Sequence, residues 1–289
     1  MTLAGLGILA SNNNPPTGIG VYARDQTVDW LAQFDFVAVN ATRADAVATA
    51  QALIARGKVV WGYRSPSSWL PTDTSGNDSD YEAMIARDEA FLQASGAVGS
   101  ICDPETGWAG ATQAQAQGLA DAIAASIARG YKWGVTCFAS GMPGRWMQIL
   151  ATTGAWGSPQ IYHSGPEDAQ YLNAWLSAFG PSGVILSVAL TSASMANEPG
   201  FASAADYAAY LAQLPPTQGS IGWTTPQTSD AYVAAYLAWG RQNVSSKALT
   251  TFGVSNTWWP WLLGAAAVAA GVWWWRRKPR KNPFRKLLR

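Results

Sequence analysis

"GSICDPETGW" occupies residues 99–108. It is a short apolar run that ends on two carboxylates, Asp103 and Glu105, with only a proline between them. Asp-Pro is ordinary turn chemistry, so a plain strand-to-loop turn is one reading. What decides between a turn and a site is the place of this run among its neighbours.

Seven similar runs surround it. They are LAGLGILAS (3–11), FDFVAVNAT (34–42), KVVWGYRS (58–65), KWGVTCFAS (132–140), AWGSPQIYHS (155–164), GVILSVALTS (183–192) and GSIGWTTPQT (219–228). Alanine-rich stretches of helical period separate most of them, among them 43–57, 81–96, 112–130, 169–180 and 204–215. Gly57, Gly96, Gly130 and Gly180 stand where those helices should end. Strands alternating with helices predict βαβ units and a parallel sheet. Eight units within residues 1–243 predict an α/β fold of the (β/α)8 TIM-barrel type. No GxGxxG or GxxxxGK[ST] follows the first run, which argues against a nucleotide site.

The 289 residues are 48% hydrophobic, 13% charged and contain 16 Trp, enough for one large core. The net charge of +1 hides an asymmetry. Eight of the 19 Lys and Arg lie in 276–289, so the preceding chain carries a net of −7. Before this basic tail stands WWPWLLGAAAVAAGVWWW (258–275), with no charge. As a helix it would extend about 27 Å, close to the hydrocarbon thickness of a bilayer. Trp at both ends suits the two interfaces. The sequence therefore predicts a barrel (1–243), a linker (244–257), a single transmembrane helix (258–275) and a basic tail (276–289). A hydrophobic helix docked on protein is the alternative for 258–275. The start, MTLAGLGILASNNN, lacks the basic n-region and long apolar run of a signal peptide and reads as the first strand.

In a TIM barrel the chemistry sits at the C-terminal ends of the strands. Asp103 and Glu105, two apart, would share the face that points into the mouth. Two carboxylates in one cleft allow one to hold a proton while the other stays charged, as glycoside hydrolysis needs. They are the candidate catalytic pair. Candidate sugar-binding residues come from other strand ends: Asn40, Tyr63, Arg64, Tyr162, His163, Trp223 and Gln227, with Trp108 beside the pair. Rings stack on sugar faces, while amides and hydroxyls bond to sugar hydroxyls. Each also has a plain reading as a rim residue. HExxH, GxSxG and clustered metal ligands are missing from the sequence, so no metal or cofactor is expected. Cys102 and Cys137 read as small buried hydrophobes.

An eight-unit barrel with D-x-E ending strand four resembles the glycoside hydrolase family 25 lysozymes. GSIGWTTPQ is loosely similar to the aromatic-Gln strand eight of that family. The resemblance implies muramidase-like cleavage of peptidoglycan, with Glu105 as general acid and Asp103 stabilising the oxocarbenium or oxazolinium species. This chain departs from the family at two places: ASNNNPP stands where an Asp usually ends strand one, and IYHSG where a Trp-centred motif usually ends strand six. A membrane-anchored glycosidase, for instance a phage virion-associated lysin, is the leading expectation. A non-catalytic barrel that binds or builds a membrane or virion surface is the alternative. The location expected is a cell envelope or a membrane-containing virion, held by a single C-terminal anchor. The partners expected are a polysaccharide, a lipid bilayer at 258–275, and anionic lipid or nucleic acid at the tail.

Overall fold

The computed structural model describes residues 13–64, 78–104, 111–138, 144–162, 166–190, 201–225 and 228–244. The chain divides into two units, Met1–Leu249 and Thr250–Arg289, and every described residue belongs to the first. Eight parallel strands close in sequence order into one barrel. They are β1 (Gly18–Ala23), β2 (Phe36–Asn40), β3 (Val59–Tyr63), β4 (Gly99–Cys102), β5 (Trp133–Phe138), β6 (Trp156–Gln160), β7 (Leu186–Ala189) and β8 (Gly219–Trp223). The helices are α1 (Val28–Leu31), α2 (Ala46–Ala55), α3 (Asp78–Ser95), α4 (Gln113–Ala128), α5 (Gly144–Ala151), α6 (Pro166–Phe179), α7 (Ala204–Leu211) and α8 (Asp230–Asn243).

Seven strands fall within the runs read from the sequence. The first does not. LAGLGILAS lies outside the described residues, and the place between β2 and β8 is held by GIGVYA, with Gly20 opposite both Phe36 and Ile221. The physical reason is alternation. Ile19, Val21 and Ala23 pack outward in the large core, while Tyr22 joins the cluster that fills the barrel. At Gly20 a Cβ would stand 2.1 Å from Cε2 of Phe36, so only glycine leaves room for that ring.

The same period of two sorts every strand into an inner and an outer set. Phe36, Trp61, Ile101, Trp156, Ile185 and Ile221 fill the interior, and the Trp61 and Trp156 rings meet edge to face at 5.2 Å and 89°. Val37, Val60, Cys102, Val135, Cys137 and Val188 face the helices. Both cysteines are buried. The helix ends follow the sequence: Gly57, Gly96, Gly130 and Gly180 all have positive φ after α2, α3, α4 and α6. Thr112 and Gln115 form a reciprocal capping box at the start of α4.

Among the described residues no helix is long and apolar enough to cross a membrane. Residues 258–275 lie outside the described residues.

Candidate active site

Alternation carries the inner set of each strand up to the C-terminal mouth. On β4, Ile101 is part of the inner cluster, and Asp103, two residues on, continues its face at 2% exposure. On β6, Trp156 begins an inner row that continues through Ser158 and Gln160 to the buried Tyr162. These two rows meet. Gln160 Nε2 donates a hydrogen bond of 3.1 Å to Asp103 Oδ1, reaching across the intervening β5.

The opposite side of the mouth is aromatic. Tyr22, Tyr63 and Trp223 end the inner rows of β1, β3 and β8. Tyr22 lies 5.0 Å from Tyr63 and 5.1 Å from Trp223, and Tyr63 lies 5.9 Å from Trp223, all edge to face. Such pairs hold one another's ring planes. Tyr22 and Tyr63 are buried, whereas Trp223 is half-buried and so presents ring surface to the mouth. The Tyr63 hydroxyl donates to the Ala23 carbonyl at 3.3 Å. Burial, above all, and then the charge of Asp103 push the Tyr63 phenol well above its ordinary value. Tyr63 is therefore a neutral donor at working pH, and it lies within the field of Asp103.

The structure sorts the residues expected from sequence. Asp103, Tyr63, Tyr162 and Trp223 belong to the inner face of the mouth. Asn40 stands at the end of β2, but its side-chain oxygen accepts from Thr42 N at 3.0 Å and Thr42 Oγ1 at 2.7 Å, closing a turn. Arg64 follows the inward Tyr63 and so turns outward, where it pairs with the fully buried Asp88 of α3. It braces the wall rather than facing the mouth. Glu105, Trp108, His163 and Gln227 lie outside the described residues. Two residues escaped the sequence reading. Tyr22 lay outside the runs read as strands, and Gln160 stands two positions before Tyr162, which drew attention as an aromatic.

Among the described residues no three His, Cys, Asp or Glu side chains come together as a metal site. A groove of about 500 Å³ lies elsewhere, on the outer wall between α3 and α4, lined by Glu82, Ile85, Asp121 and Arg129 among others. Its lining also includes the small residues Ala86, Gly118 and Ala122, and none of the mouth residues.

Neither a protein-family model nor a curated protein matches the sequence. Solved structures do match in shape. An endo-β-N-acetylglucosaminidase from Cordyceps militaris has a TM-score of 0.55 at 14% identity, over 80% of this chain and 90% of that one. The same enzyme was solved as a form with an Asp-to-Asn and a Glu-to-Gln change two positions apart, with fucosyl-N-acetylglucosamine-Asn; its TM-score is 0.56 at 11% identity, over 78% of this chain and 91% of that one. A GH18 chitinase from Pseudoalteromonas aurantia has a TM-score of 0.55 at 13% identity, over 75% and 98%. A D-allulose 3-epimerase from a Methylomonas species has a TM-score of 0.53 at 13% identity, over 81% and 99%. At such identities the likeness shows the fold, a TIM barrel that serves glycoside hydrolases and other enzymes alike. The glycoside hydrolases named here are a GH18 chitinase and an endo-β-N-acetylglucosaminidase, not family 25 lysozymes.

Proposed function

We propose that the barrel is a glycoside hydrolase acting on polysaccharide built from N-acetylated amino sugars, with cell-wall peptidoglycan as its substrate. The observation that carries this reading is Asp103. It is a buried carboxylate at the end of β4, aimed into the mouth, bonded by Gln160, with the Tyr22, Tyr63 and Trp223 rings also ending at the mouth. A carboxylate there suits a positive charge developing at a sugar ring, and Trp223 offers a surface for the ring itself. Glu105, two residues further, is the general acid that protonates the leaving oxygen. The paired Asp and Glu changes made two positions apart in the Cordyceps militaris enzyme support the same spacing here.

The chain beyond the barrel adds a location. Residues 258–275 are proposed to cross a bilayer once, with 276–289 against anionic lipid or nucleic acid. Lys and Arg beside a span favour the cytoplasmic side, which would place the acidic barrel outside. A lysin held at a cell envelope or within a membrane-containing virion suits both parts.

Reducing-end release from purified peptidoglycan and from chitin oligomers by the full chain tests the activity. Asp103→Asn and Glu105→Gln should each lower turnover by about 100-fold or more. Activity on chitin oligomers alone would replace the substrate. No release from either glycan would turn the reading to a non-catalytic barrel. Protease protection on membranes tests the topology: a shielded barrel with a cleaved tail would reverse it.

A further inference from the structure

We infer that Gln160 is a positioning residue for Asp103: its side-chain amide fixes the carboxylate at the mouth and holds it in the charged form. This rests on the glycosidase reading given above. The contact joins the ends of β4 and β6, which are not neighbours in the sheet, so it braces the mouth across β5 rather than continuing a strand pairing. Both side chains are nearly out of reach of bulk water, at 4% exposure for Gln160 and 2% for Asp103.

Which end of the amide faces Asp103 follows from chemistry. A carboxylate only accepts, so the NH2 group must point to it. A carboxamide does not titrate in this range, so the donor is present at every working pH. Donation to a carboxylate favours its charged form. Among the described residues, Tyr63 and Cys102 lie in the field of Asp103; both are neutral, and burial first, then the Asp103 charge, pushes each of them up. Ser158 and Ser187 also face the interior, Ser158 on the row of Gln160 and Ser187 opposite it in register, and their hydroxyls have no partner. From this polar side of the barrel the Gln160 donor reaches the carboxylate.

The test compares the full chain with Gln160→Leu and Gln160→Glu. For Gln160→Leu, kcat should fall about ten- to hundredfold, as for loss of one hydrogen bond to a charged group. KM should stay nearly constant, and the acidic limb of the kcat/KM profile should move to higher pH. Gln160→Glu should regain activity only towards low pH, where the new carboxyl carries a proton to donate. A readout independent of turnover is carbon-13 NMR of labelled aspartate, with the Asp103 signal assigned by its loss in Asp103→Asn. That signal should titrate at higher pH in Gln160→Leu than in the parent. Gln160→Glu serves for the same comparison if the leucine form does not fold: its Asp103 signal must also move, because a second carboxyl replaces the donor. An unmoved signal with an unchanged pH profile overturns the inference. A moved signal in a protein that releases no sugar upholds the contact and defeats the glycosidase reading instead.

Discussion

Arg64 and Asp88 form an ion pair on the outer wall of the barrel, with Asp88 fully buried and Arg64 only 12% exposed. Asp88 also accepts from the Ser100 hydroxyl, so one carboxylate ties α3 to the end of β3 and to the first half of β4. Burial pushes the Asp88 carboxyl above the ordinary carboxylate range, while the Arg64 charge and the Ser100 hydroxyl pull it back.

The sign of the pH effect follows. With its folded value raised, Asp88 keeps its proton where the unfolded chain has released it, so its contribution is present at low pH and lost as pH rises. Arg64→Met removes the main opposing charge and should widen that window. It should cost about 3 kcal/mol near neutral pH, as for breaking a buried pair, and clearly less in mild acid. Urea unfolding at two pH values measures this. An equal loss at both would mean that the ion pair is not what Arg64 contributes. A rise in KM without loss of stability would return Arg64 to the substrate.

Trp223 is the member of the aromatic trio with ring surface left over. Trp223→Ala should raise KM for a glycan by about tenfold, the order expected for one lost stacking partner, with a smaller change in kcat. Tyr22→Phe should change KM little, because its ring is buried and works by holding Trp223. If Tyr22→Phe proves as damaging as Trp223→Ala, the Tyr22 hydroxyl itself touches the sugar.

The interior depends on glycines facing large rings. Gly20→Ala would place a Cβ 2.1 Å from the Phe36 ring, and both neighbours are fixed by the sheet. The change should cost about 2 kcal/mol, within the range for overpacking a filled core. Shortening the ring in Gly20→Ala with Phe36→Leu should cost less than the sum of the two single changes, because the clash is shared. Simple additivity in denaturant unfolding would place the strain elsewhere.

Much of this barrel was legible because each signal is local. Apolar runs of four to six residues, helices of period 3.6 and a glycine after four of the helices require no knowledge of the partner strand. D-x-E at the end of the fourth run located Asp103 for the same reason. What was not legible depends on register. GIGVYA and LAGLGILAS are equally good strands in isolation, and only the pairing of Gly18–Tyr22 with Gly219–Trp223 chooses between them. Arg64 and Tyr63 are adjacent letters that face opposite sides of one strand. Gln160 gains meaning only through Asp103, 57 positions away. Asn40 could have been read as a turn residue from the Thr42 that follows it.

The position of β1 makes a last prediction about the N-terminus. All eight strands of the closed sheet lie between Gly18 and Trp223, so a chain beginning at Asn13 keeps every one of them. It should unfold in one cooperative transition. Removing residues 1–23 deletes β1 and both its ladders, to β2 and to β8, and should abolish folding, because an opened barrel exposes two edges. Asn13 is the residue that sets the boundary. Its amide donates to the carbonyls of Trp133 at 2.9 Å and Gly154 at 2.7 Å, and its oxygen accepts from Trp133 N at 2.9 Å. It thereby joins the starts of β5 and β6 below the barrel. Asn13→Ala leaves these backbone groups without their partner and should cost about 2 kcal/mol, the order for buried groups left unsatisfied. Thermal melts of the two truncations and the point variant, followed by tryptophan fluorescence, measure all three. If the chain starting at Asn13 fails to fold while the full chain does, the first twelve residues hold the sheet after all, and GIGVYA is not sufficient to close it.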